Sequence, residues 1–314
     1  MVTNFYLEKK AIVYNNHRYM FSLNDFFVRF KNGDVLYRIL FINILVFVVV
    51  MTIKVVMLLF NYDATIYLRF LAAPADYSQL LSHPWTLFSY MFLHEGLFHV
   101  AFNLLALYWF GKLFVMYFTQ KQLLVVYLLG GLSGYLFFSA AYNFLPLFQG
   151  LEQQAVLMGA SASIMSIILA VSFRIPETQV QLLLFGAVKL KYIALVTVLM
   201  SFFGIASSNA GGEISHLGGA LLGAVFVLSL RKGVDITAGI NKVFDAISDV
   251  FKPRKMRVSK GNTAGKYKMS DAEYNQYKAD KMKEIDRILD KIKSSGYDSL
   301  STDEKKQLFE QGKK

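Results

Sequence analysis

Apolar residues in this chain come in long blocks instead of alternating with polar ones. A helix needs about 20 apolar residues, at 1.5 Å rise each, to cross a hydrocarbon core of roughly 30 Å. Blocks approaching that length run at about 35–60, 97–118, 122–144, 156–173, 192–208 and 214–230. The pattern predicts an all-α polytopic membrane protein, a six-transmembrane-helix bundle with a small cytoplasmic helical tail. The stretch 61–94 is apolar for a loop and carries Pro74, Pro84 and Trp85, as expected of a segment lying partly in the membrane interface. Residues 179–187 alternate and read either as a short cytoplasmic hairpin or as an interfacial stretch.

After Arg231 the pattern changes. Ile240, Val243, Phe244, Ile247, Val250 and Phe251 recur at helical spacing, predicting an amphipathic helix on the membrane surface. Lys252, Arg254, Lys255, Arg257, Lys260, Lys266 and Lys268 follow without an acidic residue, so 252–268 reads as a flexible linker contacting anionic lipid. Beyond it, Ile285, Ile288, Leu289 and Ile292 form one stripe, Gly296 ends that helix, and Ser301 to Glu304 is a capping box for the next. The expected organisation is a cytoplasmic or interfacial segment 1–34, a membrane domain 35–231, an amphipathic helix and basic linker 232–269, and a cytoplasmic hairpin 270–314.

Composition narrows the chemistry. With 55% hydrophobic and 18% charged residues the chain fits a membrane protein better than a soluble one. The absence of cysteine excludes disulfides, thiol nucleophiles and Cys-ligated zinc. A net charge of +11 would suit nucleic acid, but the basic residues lie between and after the spans, which fits membrane orientation instead. Before the first block there is no short apolar core with a small-residue cleavage site, so no cleaved signal peptide is expected. Lys and Arg concentrate before span one, between spans two and three, between four and five, and after six. The positive-inside rule then puts both termini in the cytoplasm.

That orientation brings polar groups on three spans to one shallow depth on the outer side. Ser161 lies near the head of span four, about a turn and a half below the surface, and His216 opens span six. His99 and Asn103, four residues apart, share a face of span two. Such groups cost free energy in lipid unless partnered. A serine hydroxyl needs an adjacent base to become a nucleophile, and an imidazole serves near neutral pH. His99, Asn103 and the Ser161 backbone N–H are candidate donors to the oxyanion formed on attack at an amide.

Each residue also has a plainer reading. Ser161 is equally a small packing residue like Ser163, Ser166 and Ser172, and His99 with Asn103 equally an interhelical polar pair. Gly219 and Gly223 make a small-residue face that would bring His216 against span four near Ser161. Glu213 reads as a solvated loop residue, which leaves a dyad without an acid. His94 and His99 are five apart, about 140° around a helix, so they do not form the i, i+4 pair of a zinc site. No metal or other cofactor is expected.

In this order the motifs resemble the rhomboid family of intramembrane serine proteases, of a six-span bacterial type. The likeness covers about 61–231 and rests on His94, His99 and Asn103, on Gly159-Ala160-Ser161, and on His216 with Gly219. The resemblance implies Ser161 as nucleophile, His216 as base, His99 and Asn103 at the oxyanion site, and His94 as a structural loop partner. It also implies membrane-anchored protein substrates, cut in or near a transmembrane segment, and residence in a bacterial inner membrane. The chain departs from the family's usual pattern at Ala162 and Met165 and lacks a Trp-Arg pair in the first outer loop. An inactive relative that binds transmembrane helices is the alternative. A transporter ranks below it, since the spans show no inverted repeat.

Overall fold

The computed structural model describes residues 23–63, 65–182, 186–242, 246 and 271–311. The expected surface helix through Val243, Phe244, Ile247, Val250 and Phe251, the basic stretch 252–268, and residues 1–22 of the N-terminal segment lie outside the described residues. The chain forms two compact units, Met1–Lys252 and Pro253–Lys314.

In the first unit a short helix α1 (Leu23–Lys31) precedes the long α2 (Val35–Leu59). Asp34 starts α2 by accepting the Leu36 N–H at 3.1 Å. Three short helices follow, α3 (Thr65–Leu71), α4 (Tyr77–Ser82) and α5 (Thr86–Ser89), with strand β1 (Ala73–Pro74) after α3. Then come α6 (Leu97–Tyr117) and α7 (Gln120–Phe144), the second opened by a reciprocal capping box between Thr119 and Gln122. Strand β2 (Val156–Leu157) precedes α8 (Ser161–Arg174), and the hairpin β3 (Gln179–Leu182) and β4 (Gly186–Lys189) leads into α9 (Leu190–Gly204). Finally α10 covers Ala210–Arg231.

By length and composition α2, α6, α7 and α10 can cross a bilayer, while α8 and α9 are shorter apolar helices. The protein is an all-α, multi-pass membrane bundle. Of the two readings for 179–187, the hairpin is the one formed, with Leu182 paired to Gly186 and Gln179 to Lys189.

The fourth expected span is where pattern and structure part. The apolar block begins at Val156, but Val156 and Leu157 pair antiparallel with Pro74 and Ala73, and the helix starts only at Ser161. The break falls at Gly159, whose φ of +125° is foreign to a right-handed helix. Ser161 is therefore the first residue of its helix, not a residue a turn and a half along it.

Every residue of α8 from Ala162 to Ser172 is buried, which makes it the central post, packed by α6, α7, α9 and α10. A helix that is apolar and small all round suits such a position. Helix α2, by contrast, keeps Ile42, Leu45, Val48 and Val49 exposed, an apolar surface suited to lipid. Buried polar groups lock the bundle. The Tyr127 hydroxyl donates to the Met91 carbonyl at 3.0 Å, Tyr90 to Gly131 at 2.6 Å, and Ser166 to Val126 at 3.0 Å. Tyr135 and Asn143 on α7 tie down the Pro74 and Ala75 carbonyls, at 3.0 Å and 2.9 Å, so the loop between α2 and α6 is fastened where β1 meets β2.

The second unit contains α11 (Asp271–Ser295) and α12 (Thr302–Gln311), separated by Gly296 at φ +77°. Ile288 and Leu300 are buried, whereas Leu289 of the expected stripe is exposed. The apolar face is thus narrower than its spacing suggests. Glu304 caps α12 by accepting the Ser301 N–H at 2.8 Å, and Lys291 of α11 donates to the same carboxylate at 2.9 Å.

Candidate active site

Helices α8 and α10 touch backbone to backbone. A Cβ at Gly219 would overlap the Ala162 carbonyl, and one at Gly223 would overlap the Ser166 carbonyl. Both pairs step by four residues, so the two helices run parallel in register. His216 precedes Gly219 by three residues and Ser161 precedes Ala162 by one. At 1.5 Å per residue the two side chains therefore start within about 3 Å of the same level.

The same register sets depth. Helix α10 begins nine residues before Gly219, whereas α8 begins one residue before Ala162. The head of α10 thus projects about 12 Å past Ser161. Helix α7 runs the other way, and an added Cβ on its Gly134 would meet Ala162 Cβ at 2.5 Å and the Ser215 carbonyl at 2.8 Å. Its remaining ten residues to Phe144 carry it about 15 Å past the same level. Ser161 thus lies below the heads of both neighbouring helices and is half-buried there.

At the head of α8 the first backbone N–H groups have no partner within the helix. The helix dipole adds partial positive charge at that end, so the Ser161 N–H is well placed for a developing anion. Gly159 stands just before it, its N–H donating to the Tyr90 carbonyl at 2.9 Å. A single added Cβ there would touch the His99 Cε1 and Nε2 atoms at 3.3 Å and Ser161 Oγ at 3.6 Å. The His99 ring edge and the serine hydroxyl therefore converge on the space that glycine leaves open. Among the described residues the Ser161 hydroxyl makes no hydrogen bond.

Asn103 is buried one turn below His99, and its Nδ2 donates to the His99 carbonyl at 3.0 Å, its one hydrogen bond among the described residues. It supports the turn that carries His99 and is not hydrogen-bonded to Ser161. His94 lies in the loop before α6, buried, its ring edge-on to His99 with centroids 5.2 Å apart. Burial, reinforced by the positive charge His99 can carry, holds the His94 imidazole down to about 4, so it is neutral near pH 7.

One expectation is overturned. Glu213 is not a solvated loop residue. It sits in the first turn of α10, its side chain 22% exposed, with Oε2 3.2 Å from His216 Nδ1. The separation of three residues was the available signal, since i and i+3 share a helix face. It also needed the knowledge that α10 starts before Glu213. Ser201 on α9 was missed outright, and its Oγ lies 3.1 Å from the same nitrogen.

The chain is thus a helical membrane bundle that brings a serine and a histidine to one level on adjacent helices. Residues 81–233, just under half of the chain, match the family model described as Rhomboid domain. Residues 269–314 match a second model, Family of unknown function (DUF6576). The chain is similar to RHOMBOID-like protein 12, mitochondrial, of Arabidopsis thaliana, at 28% identity over 158 residues, which is 47% of each chain. It thus spans about half the length of that relative.

Proposed function

We propose that this protein is an intramembrane serine endopeptidase, with Ser161 as nucleophile and His216 as general base. Its substrates are membrane-anchored proteins cut in or near a transmembrane segment. The observation that supports this most is the level register of Ser161 and His216 across the Gly219–Ala162 contact. In the reaction His216 Nε2 takes the Ser161 proton as Oγ attacks the peptide carbonyl carbon. The Ser161 N–H and the His99 ring donate to the resulting oxyanion. Collapse breaks the C–N bond, the imidazolium protonates the departing amine, and water then hydrolyses the acyl-enzyme by the same relay. The Ser161–His216 hydrogen bond forms with substrate present, as catalytic contacts commonly tighten in the Michaelis complex.

An intact substrate helix hides its amides, so the scissile segment must unwind first. Small or helix-weakening residues lower that cost. We further propose a bacterial inner-membrane location with both termini in the cytoplasm and the basic 252–268 stretch against anionic lipid. Nucleic acid is not a partner in this reading.

The test is labelling of the detergent-solubilised protein with a fluorophosphonate probe. Wild type is expected to label, and Ser161→Ala and His216→Ala are not. A folded wild type that neither labels nor cleaves a membrane-anchored reporter would instead favour a helix-binding relative without catalysis.

A further inference from the structure

The pair Ser161–His216 carries a built-in acid that the dyad reading leaves unused. Glu213 and His216 lie three residues apart on one face of α10, with the carboxylate Oε2 3.2 Å from the ring Nδ1. Both side chains are largely buried, at 22% and 19% exposure. The approach is prepared from α9, because Gly204 has no side chain where the carboxylate lies. A Cβ there would be 2.9 Å from Glu213 Cγ and Cδ. One turn earlier on α9, buried Ser201 directs its Oγ to the same Nδ1 at 3.1 Å. Among the described residues, His99 on α6 is a further titratable group in electrostatic reach of His216.

A carboxylate has lone pairs and no proton, so it accepts and never donates. Its position beside Nδ1 keeps the ring proton on that nitrogen. The lone pair on Nε2 is then free to receive a proton from a serine. When that proton arrives, the carboxylate charge opposes the positive charge gained by the ring. We propose that Glu213, assisted by Ser201, is a positioning residue that completes a Ser161–His216–Glu213 triad within this membrane site. The inference rests on the protease reading above. The plainer account is that Glu213 only answers the partial positive charge at the head of α10, which would matter for stability alone.

The experiment uses the full chain in detergent, with Glu213→Gln, Glu213→Asp and Ser201→Ala. It measures kcat and KM on a membrane-anchored reporter, the fluorophosphonate labelling rate, and the melting temperature. Glutamine keeps size and an accepting oxygen but loses the charge and can present its NH2 group instead. It is expected to lower kcat and the labelling rate about 10- to 100-fold with KM and melting temperature little changed. That is less than the roughly 10⁴-fold effect at a fully buried triad acid, because Glu213 is partly exposed and Ser201 is a second acceptor. Aspartate is expected to recover part of the loss, and Ser201→Ala to lose less than glutamine does. Unchanged kcat in a labelled, active Glu213→Gln protein would overturn the triad while leaving the protease reading intact. So would a loss of rate matched by loss of melting temperature and not relieved by aspartate. A folded wild type that neither labels nor cleaves would overturn both.

Discussion

Gly219 rests directly on the Ala162 carbonyl, one residue past Ser161, and this single backbone contact sets the level of His216 against the serine. Gly219→Ala forces α10 away from α8. Overpacking of a close contact costs about 1–3 kcal/mol, and a clash with backbone belongs at or above the upper end. We expect a lowered melting temperature together with loss of fluorophosphonate labelling. Gly239→Ala is the control, since a Cβ there meets nothing within 4 Å. Equal melting and labelling in Gly219→Ala and wild type would mean that the helices do not approach this closely.

Gly159 makes a different demand, one of backbone conformation. At φ +125° an alanine is strained by about 1–3 kcal/mol, and its methyl also reaches the His99 ring at 3.3 Å. Gly159→Ala should therefore reduce turnover more than it reduces global stability. The damage falls on the head of α8 and the space shared by His99 and Ser161. Comparing kcat with melting temperature checks this, and a variant that turns over like wild type would remove Gly159 from the account.

Much of this arrangement could be read from the chain because its signals are local. The apolar blocks located the bundle helices, and the spacing of His99 from Asn103 and of His216 from Gly219 put each pair on one face. Two things could not be read that way. The head of α8 depends on Val156 and Leu157 finding Pro74 and Ala73, a pairing across more than eighty residues that hydropathy does not record. The Glu213 and Ser201 contacts with His216 depend on how α9 meets α10, and Gly204 matters there only for what it leaves vacant. Tertiary packing, not local pattern, decides both.

Outside the bundle, Glu177 gives a pH-dependent contact. It accepts from Lys189 Nζ at 2.7 Å and from Lys191 Nζ at 2.5 Å, across the base of the β3–β4 hairpin. Those two hydrogen bonds hold its carboxyl down to about 2, from an ordinary 4.5. A lowered folded-state value means that the stabilisation is fully present above about pH 4.5 and is lost as pH falls through about 2. The pair is exposed, so its worth is small and salt-screened. Melting temperatures of wild type and Glu177→Gln should differ slightly at neutral pH and low salt, and converge on acidification. A gap that persists at the acid end would mean that charge is not its source.

The two oxyanion candidates on α6 should separate by mutation. The His99 ring edge faces the space beside Ser161 Oγ, whereas Asn103 gives an Nδ2 proton to the His99 carbonyl one turn above. A donor acting directly on the oxyanion is worth about 10²–10³-fold in kcat, so His99→Ala should lose on that order. Asn103→Ala should lose less, because its effect passes through the backbone that holds His99. Its signature is a lowered melting temperature from a part-buried carbonyl left without its side-chain donor, alongside a moderate loss in kcat. Reporter kinetics and thermal melts on the two variants decide the matter. A larger kcat loss in Asn103→Ala at unchanged stability would reverse the roles and make the carboxamide the direct donor.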